Sequence, residues 1–170
     1  MSLKKSQKTV LCTVVLLELL IQLKAEGNCI TAAKSATAEC QPPWLRHQSH
    51  CYLYVKTKSS FDNAETYCKN FSRAGKPAHL ASVTSDKENA FLLSYVQASG
   101  IASFKIGLSD PQRNRQFIWT DGSSSKFRNW RAGEPSPVRQ REFCVHFVTD
   151  GTWFDAFCNR KVYFMCKIAL

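Results

Sequence analysis

Three carboxylates in the second half of the chain, Glu134, Glu142 and Asp155, are candidates for chemistry. Paired acids of this kind can act as general acid and base on a glycosidic bond. No Ser-His-Asp or Cys-His arrangement accompanies them, and His47, His50, His79 and His146 lack metal-ligand spacing. The surrounding tract is basic. Between Arg113 and Arg141 seven cations (Arg113, Arg115, Lys126, Arg128, Arg131, Arg139 and Arg141) face only Asp121 and Glu134, a net +5. Six of the seven are arginines, whose planar fork suits sulfate, phosphate or carboxylate. The plainer alternative is a soluble basic surface. Asn70-Phe71-Ser72 is an N-glycosylation sequon, so Asn70 is expected to face water and Phe71 to turn inward.

The compartment follows from the N-terminus and the cysteines. Lys4, Lys5 and Lys8 precede an apolar stretch from about Val10 to Leu23, interrupted by Glu18 and followed by small residues at Ala25 and Gly27. That is the pattern of a secretory leader over residues 1–27, cleaved after Gly27 or Ala25, and it is short for a membrane span. Its removal leaves a formal charge of +8 and seven cysteines: 29, 40, 51, 68, 144, 158 and 166. In a secreted chain of this size seven cysteines read as three bridges and one spare. The 170-residue length, 44% hydrophobic content and eight cysteines disfavour a disordered tail, a cytoplasmic enzyme and a multi-pass membrane protein.

The elements that must position the acids read as follows. Residues 28–39 are small and polar, a lead carrying Cys29. Tyr52 to Val55 alternate as a strand. Phe61, Ala64, Cys68 and Phe71 mark one face of a helix begun at Ser59 or Ser60. Ser85-Asp86-Lys87-Glu88 is a capping box opening a second helix, with Phe91, Leu92, Tyr95 and Val96 as its apolar side and Gly100 as its stop. Gln116–Thr120 reads as a strand, and Cys144–Thr149 and Thr152–Phe157 as a hairpin turning on Asp150-Gly151. That hairpin sets Cys144 nearly opposite Cys158. Val162, Phe164, Cys166 and Ile168 alternate as a last strand. The order is α+β with an antiparallel sheet. The tract from Asp110 to Cys144 is a long loop, and Trp119 and Trp130 within it predict that it is packed.

From Cys40 to Lys167 the chain resembles the C-type lectin-like domain in its long form. The resemblance rests on Cys40, Trp44 and Cys51-Tyr52; on Cys68; on Ala78-His79-Leu80-Ala81-Ser82-Val83; and on Ile106-Gly107-Leu108. It continues through Trp119-Thr120-Asp121-Gly122, Asn129-Trp130, Glu134-Pro135-Ser136, Cys144, Trp153-Phe154-Asp155, Cys158 and Phe164-Met165-Cys166. It implies one domain over residues 40–170, with bridges Cys40–Cys51, Cys68–Cys166 and Cys144–Cys158. Cys29 then lies outside the domain, either unpaired or forming an interchain bridge to a second copy.

The resemblance also implies a Ca²⁺ site on the long loop. Glu134 and Glu142 stand at the loop carboxylate positions, Asp155 at the strand acid, and Pro135 where the family holds a cis peptide. Two amide positions differ: the loop Asn is Ser136 and the strand Asn is Phe154. Ca²⁺ wants six to eight oxygens, and Phe154 offers none. Three acids together call for a positive charge, either Ca²⁺ or the guanidinium of Arg139 or Arg141. A second calcium position would fall on Asp110, Asn114, Pro137, Glu142 and Phe143, and is expected to be empty.

The expectation is therefore a secreted, non-enzymatic binding protein. Its ligand is carbohydrate or another anionic molecule, contacted through Glu134, Ser136, Glu142, Asp155, Arg128, Arg131, Arg139 and Arg141. A Ca²⁺-dependent, mannose-type lectin is the alternative, since Glu134 leans toward mannose. A membrane-active antimicrobial lectin is a third reading, because basic charge with aromatics suits anionic surfaces. No nucleic-acid-reading motif and no transmembrane anchor are expected.

Overall fold

The computed structural model describes residues 39–73, 75–136 and 141–170. The expected leader, the lead with Cys29, and Arg139 lie outside the described residues. Among the described residues eight strands and two helices follow in the order β1 (Leu45–His47), β2 (His50–Ser59), α1 (Phe61–Lys69), β3 (Ala78–Leu80), α2 (Asp86–Ser99), β4 (Ser103–Ser109), β5 (Ile118–Trp119), β6 (Cys144–Val148), β7 (Trp153–Ala156) and β8 (Val162–Ala169). The sheet order is β1-β2-β8-β4-β6-β7, with β3 on β8 and β5 on β4. The class is α+β, as expected. The sheet is mixed rather than purely antiparallel, because β4 runs parallel to β8 at Phe104↔Tyr163 and Lys105↔Phe164.

Residues 51–55 of β2 are buried on both faces, and their alternation sorts them between two cores. Tyr52 and Tyr54 join Leu92 and Val96 of α2, with Phe104, Ile106 and Met165. Leu53 and Val55 join Phe61, Ala64 and Cys68 of α1, with Leu80 and Phe164. Each helix thus covers one face of the central strands, and burying both faces removes most of the apolar surface from water.

The three expected bridges are present. Cys40–Cys51 ties the domain entrance to β2, and Cys68–Cys166 ties α1 to β8 across 98 residues of sequence. In the loop-closure model a bridge of that span stabilises by about 4–5 kcal/mol. Cys144–Cys158 clamps the β6–β7 hairpin.

Two local expectations are corrected. The hairpin turn has three residues, not two: the Gly151 N–H donates to Val148 O, and Val148 pairs with Thr152 through a 3.0 Å bond. Asp150 drives this choice by accepting from both the N–H and the hydroxyl of Thr152, and Gly151 takes the left-handed φ of 83° that closes the turn. Cys144 consequently pairs with Ala156, two residues short of Cys158. The second correction is the strand over Gln116–Thr120, which shrinks to Ile118–Trp119. Gln116 gives its N–H to Asn114 Oδ1 instead of to the sheet.

The capping box forms only by half. Ser85 Oγ accepts the Glu88 N–H, but the Glu88 carboxylate turns to the N–H and hydroxyl of Thr84. It also meets Lys167 Nζ at 2.5 Å and the Tyr52 hydroxyl, all buried beneath α2.

Candidate ligand-binding site

The long loop leaves and re-enters the sheet at one neck. Ser109 faces Cys144 in the β4–β6 ladder, and the Asp110 N–H donates to Phe143 O at 2.8 Å. Asp110 is fully buried. Its carboxylate accepts the N–H of Asn114 at 3.1 Å and of Arg115 at 2.7 Å. The intervening turn holds Arg113 and Arg115 at φ of 56° and 67°. Asp110, an expected counterpart of a second calcium position, thus has both oxygens engaged by backbone.

That turn carries Arg115 to Asp155. Arg115 Nη1 donates to Asp155 Oδ2 at 3.0 Å, and the Ser136 N–H donates to Asp155 Oδ1 at 3.0 Å. Asp155, on β7, is fully buried, while the Arg115 side chain is 36% exposed and packs over Phe117. Glu134 and Ser136 are half-buried, Glu142 is buried, and the Glu134–Pro135 peptide is cis. The positive charge beside Asp155 is therefore Arg115, one of the seven loop cations but not one expected to pair with the acids.

The residues present do not fit a calcium ion at Asp155. A guanidinium holds one carboxylate oxygen and an amide N–H holds the other. Ser136 contributes that N–H, a donor where a metal needs oxygen, and Phe154 contributes no oxygen. Among the described residues no group of three His, Cys, Asp or Glu side chains has an arrangement suited to a metal.

The remaining arginines divide. Arg128 points inward: Nη1 donates to the carbonyls of Ser125 and Phe127 and Nη2 to that of Phe117, with the guanidinium over Trp119. Burial lowers its pKa. It staples the loop and has little left to offer a ligand, a departure from its expected role. Arg131 points outward over Phe154, 5.6 Å from the ring, with Asp150 at 4.0 Å and both side chains about half exposed. Arg141 is exposed at the loop neck, beside Arg113 and Phe143.

The middle of the loop is packed, as Trp119 and Trp130 predicted: Phe117 and Trp119 are buried in the core and Phe127 and Trp130 pack against it, while residues 111–116 are exposed. The Trp153 N–H donates to Asn129 O, and the Arg131 N–H donates to Trp153 O, so this stretch runs beside β7 like an added strand. Trp119, Phe127 and Trp130 all stand edge-on to the buried Trp153 ring. Asn89 of α2 accepts the Trp153 indole N–H and donates to Gly151 O, as does Asn129. These bonds hold Arg131 and Phe154 on a rigid support.

Residues 57–168 match the family model of the lectin C-type domain. The chain belongs to the C-type lectin family. It is 36% identical over 157 residues to a lectin of Pleurodeles waltl, covering 90% of each chain. It is 35% identical over 135 residues to an alpha-N-acetylgalactosamine-specific lectin of Patiria pectinifera, covering 75% of this chain and 79% of that one. The crystal structure of human lithostathine superposes with a TM-score of 0.73 at 31% identity, covering 79% of this chain and 94% of that one. In all of these terms the expected family and fold hold.

Proposed function

We propose that this C-type lectin is a secreted, calcium-independent recognition protein that binds carbohydrate bearing an anionic group. One observation carries the reading: Asp155, the strand acid of the family's calcium position, is held by Arg115 and by the Ser136 N–H. A site whose acid already has a built-in cation does not need a metal to be neutral. The Ca²⁺-dependent, mannose-type alternative loses support for the same reason.

The binding face on this reading is the strip formed by Arg131 and Phe154, next to the half-buried Glu134 and Ser136. A guanidinium over an aromatic ring offers a flat apolar patch and a fork of donors, which suits a sugar ring with a sulfate or carboxylate. The relative from Patiria pectinifera, named for a saccharide, supports carbohydrate as the ligand class. On this reading the chain acts by binding and not by catalysis, since the strand acid Asp155 is committed to Arg115 and the Ser136 N–H. Asn70 is exposed at the end of α1 and its neighbour Phe71 packs on Trp44 and Tyr67, which supports use of the sequon. A covalent homodimer through Cys29 is part of the same proposal, with non-reducing electrophoresis as its check.

A glycan array probed in calcium and again in EDTA tests the function. The expected pattern is binding of acidic glycans that is the same in both buffers and weakened by Arg131→Ala. Binding abolished by EDTA would overturn the reading.

A further inference from the structure

A groove of about 650 Å³ opens at the loop neck, away from the Asp155 contact. Its size lies within the range of small-ligand sites. Both ends of the long loop wall it: Arg113 on the way out, Arg141 and Phe143 on the way back. The far wall is Phe157 with Asn159, and Asp62 of α1 stands at the edge.

Three bonds make this a built site. The neck is closed by the Asp110 N–H to Phe143 O at 2.8 Å. The Cys144–Cys158 bridge joins neck to far wall. The Phe61 N–H donates to Cys158 O at 2.8 Å, fixing the start of α1 against the same wall. On this rigid frame Phe157 is 47% exposed, one of four large hydrophobic side chains so exposed among the described residues. It lies beside a disulfide and a hydrogen-bonded helix start, so fraying does not explain its exposure.

The chemistry of the lining is specific. Arg113 lies over Phe143, 5.2 Å from its ring centre. Neither Arg113 nor Arg141 forms an ion pair among the described residues. Of the two acids in the lining, Asp110 has both oxygens committed to backbone N–H groups, and Asp62, exposed and in no ion pair among the described residues, is left as an acceptor at the rim. Two guanidinium forks, one carboxylate and one amide surround exposed aromatic carbon. A sugar ring needs that combination: an apolar face to stack, hydroxyls to donate and accept, and an acidic substituent for the forks.

We propose that this neck groove is a second saccharide site, which takes an acidic sugar with its sulfate or carboxylate between Arg113 and Arg141 and its ring on Phe157. The proposal rests on the reading of the chain as a lectin, but not on the Arg131–Phe154 face.

Calorimetric titration of the full chain in EDTA tests it, with three probes: a heparin-derived tetrasaccharide, a hyaluronan-derived tetrasaccharide and neutral maltotetraose. The acidic probes should bind more tightly than the neutral one; sulfate as the substituent predicts heparin alone, carboxylate both. The double variant Arg113→Ala/Arg141→Ala should weaken the acidic probe by about tenfold or more, and Phe157→Ala by about fivefold. The charge-keeping Arg113→Lys/Arg141→Lys pair should retain part of the affinity, because point charges remain but the forks are lost. If the double alanine variant fails to fold, the exposed Phe157→Ala change and the lysine pair decide the matter. Acidic probes that bind wild type and all these variants within about twofold, while Arg131→Ala weakens them, would overturn the neck site and leave the lectin reading standing. Wild type that binds none of the three probes overturns the neck site; silence on the glycan array as well overturns the lectin reading too.

Discussion

Arg115 and Asp155, 40 residues apart in sequence, meet through a 3.0 Å bond between Nη1 and Oδ2, with the acid fully buried and the arginine at the surface. The pair closes the long loop onto β7 and sets a positive charge beside the buried acid. Arg115→Ala leaves a buried carboxylate with the Ser136 N–H as its remaining hydrogen-bond partner among the described residues. The expected loss is about 1–3 kcal/mol of folding stability, since a buried polar group pays its desolvation cost when a partner is removed. Denaturant titration measures it. The wild-type melting temperature should be the same in millimolar calcium and in EDTA, because a ligand that bound only the folded state would raise it. A calcium-dependent rise in wild type would contradict the pair's assigned role.

Gly107 sits where β3, β4 and the start of the loop converge. A Cβ there would lie 2.4 Å from Leu80 O and 2.8 Å from Thr120 Oγ1. The Gly107 N–H donates to Ala81 O, and its carbonyl accepts from Thr120. Backbone on one side cannot rotate away, so Gly107→Ala must push β4 from β3. An expected cost of about 1–3 kcal/mol follows from overpacking. Thermal unfolding gives the check, and because Thr120 shifts with it, ligand affinity should fall together with stability.

What could be read from the residues depended on periodicity. Both helices, the β6–β7 hairpin and β8 carry repeating apolar positions and clear stops, and each formed close to where it was expected. Strand β4 was legible only as the motif Ile106-Gly107-Leu108. Its buried Lys105, with Nζ donating to Ser59 O at 2.8 Å and to Arg160 O at 2.5 Å, breaks the apolar run. At the site, Glu134-Pro135, Ser136 and Asp155 were recognisable from their motifs. Arg115 was not, because its reach to Asp155 is set by the turn that Asp110 organises and by no local spacing. Arg128 looked like surface charge for a similar reason: its carbonyl partners are created by the loop's own path.

The buried pair of Glu88 and Lys167 makes a stability prediction. Burial alone would push the Glu88 carboxyl up, but the Lys167 ammonium, with hydrogen bonds from Lys167, Tyr52 and Thr84, outweighs it and holds the pKa below the ordinary value. A depressed carboxylate pKa stabilises the fold above about pH 4.5, and that contribution is lost as pH falls through the folded value. Glu88→Gln strands a buried ammonium and should cost about 3–5 kcal/mol. Glu88→Leu/Lys167→Met removes both charges and should recover most of the loss. Denaturant curves for the single and double variants at pH 7 give the comparison, and a double variant as unstable as the single would refute the paired reading.

His146 on β6 makes the last prediction, in a different pH window. It is fully buried, packs edge-on to Phe154 and lies beside Lys105 in the β4–β6 ladder. Burial first, then the charges of Lys105 and Arg160, lower its pKa from 6.5 to about 3. Above about pH 6.5 the ring is neutral in folded and unfolded chains alike. Below that, the unfolded chain takes up a proton that the folded chain refuses, so stability declines as pH falls toward 3, by at most about 1.4 kcal/mol per pH unit for this one group. Between pH 6.5 and 4.5 the carboxylates contribute least to this slope. His146→Leu keeps the site apolar and removes the titration, so its stability should vary less with pH there than wild type does. Urea titrations at half-unit steps measure the two slopes, and identical slopes would show that His146 takes up its proton in the folded state as readily as in the unfolded one.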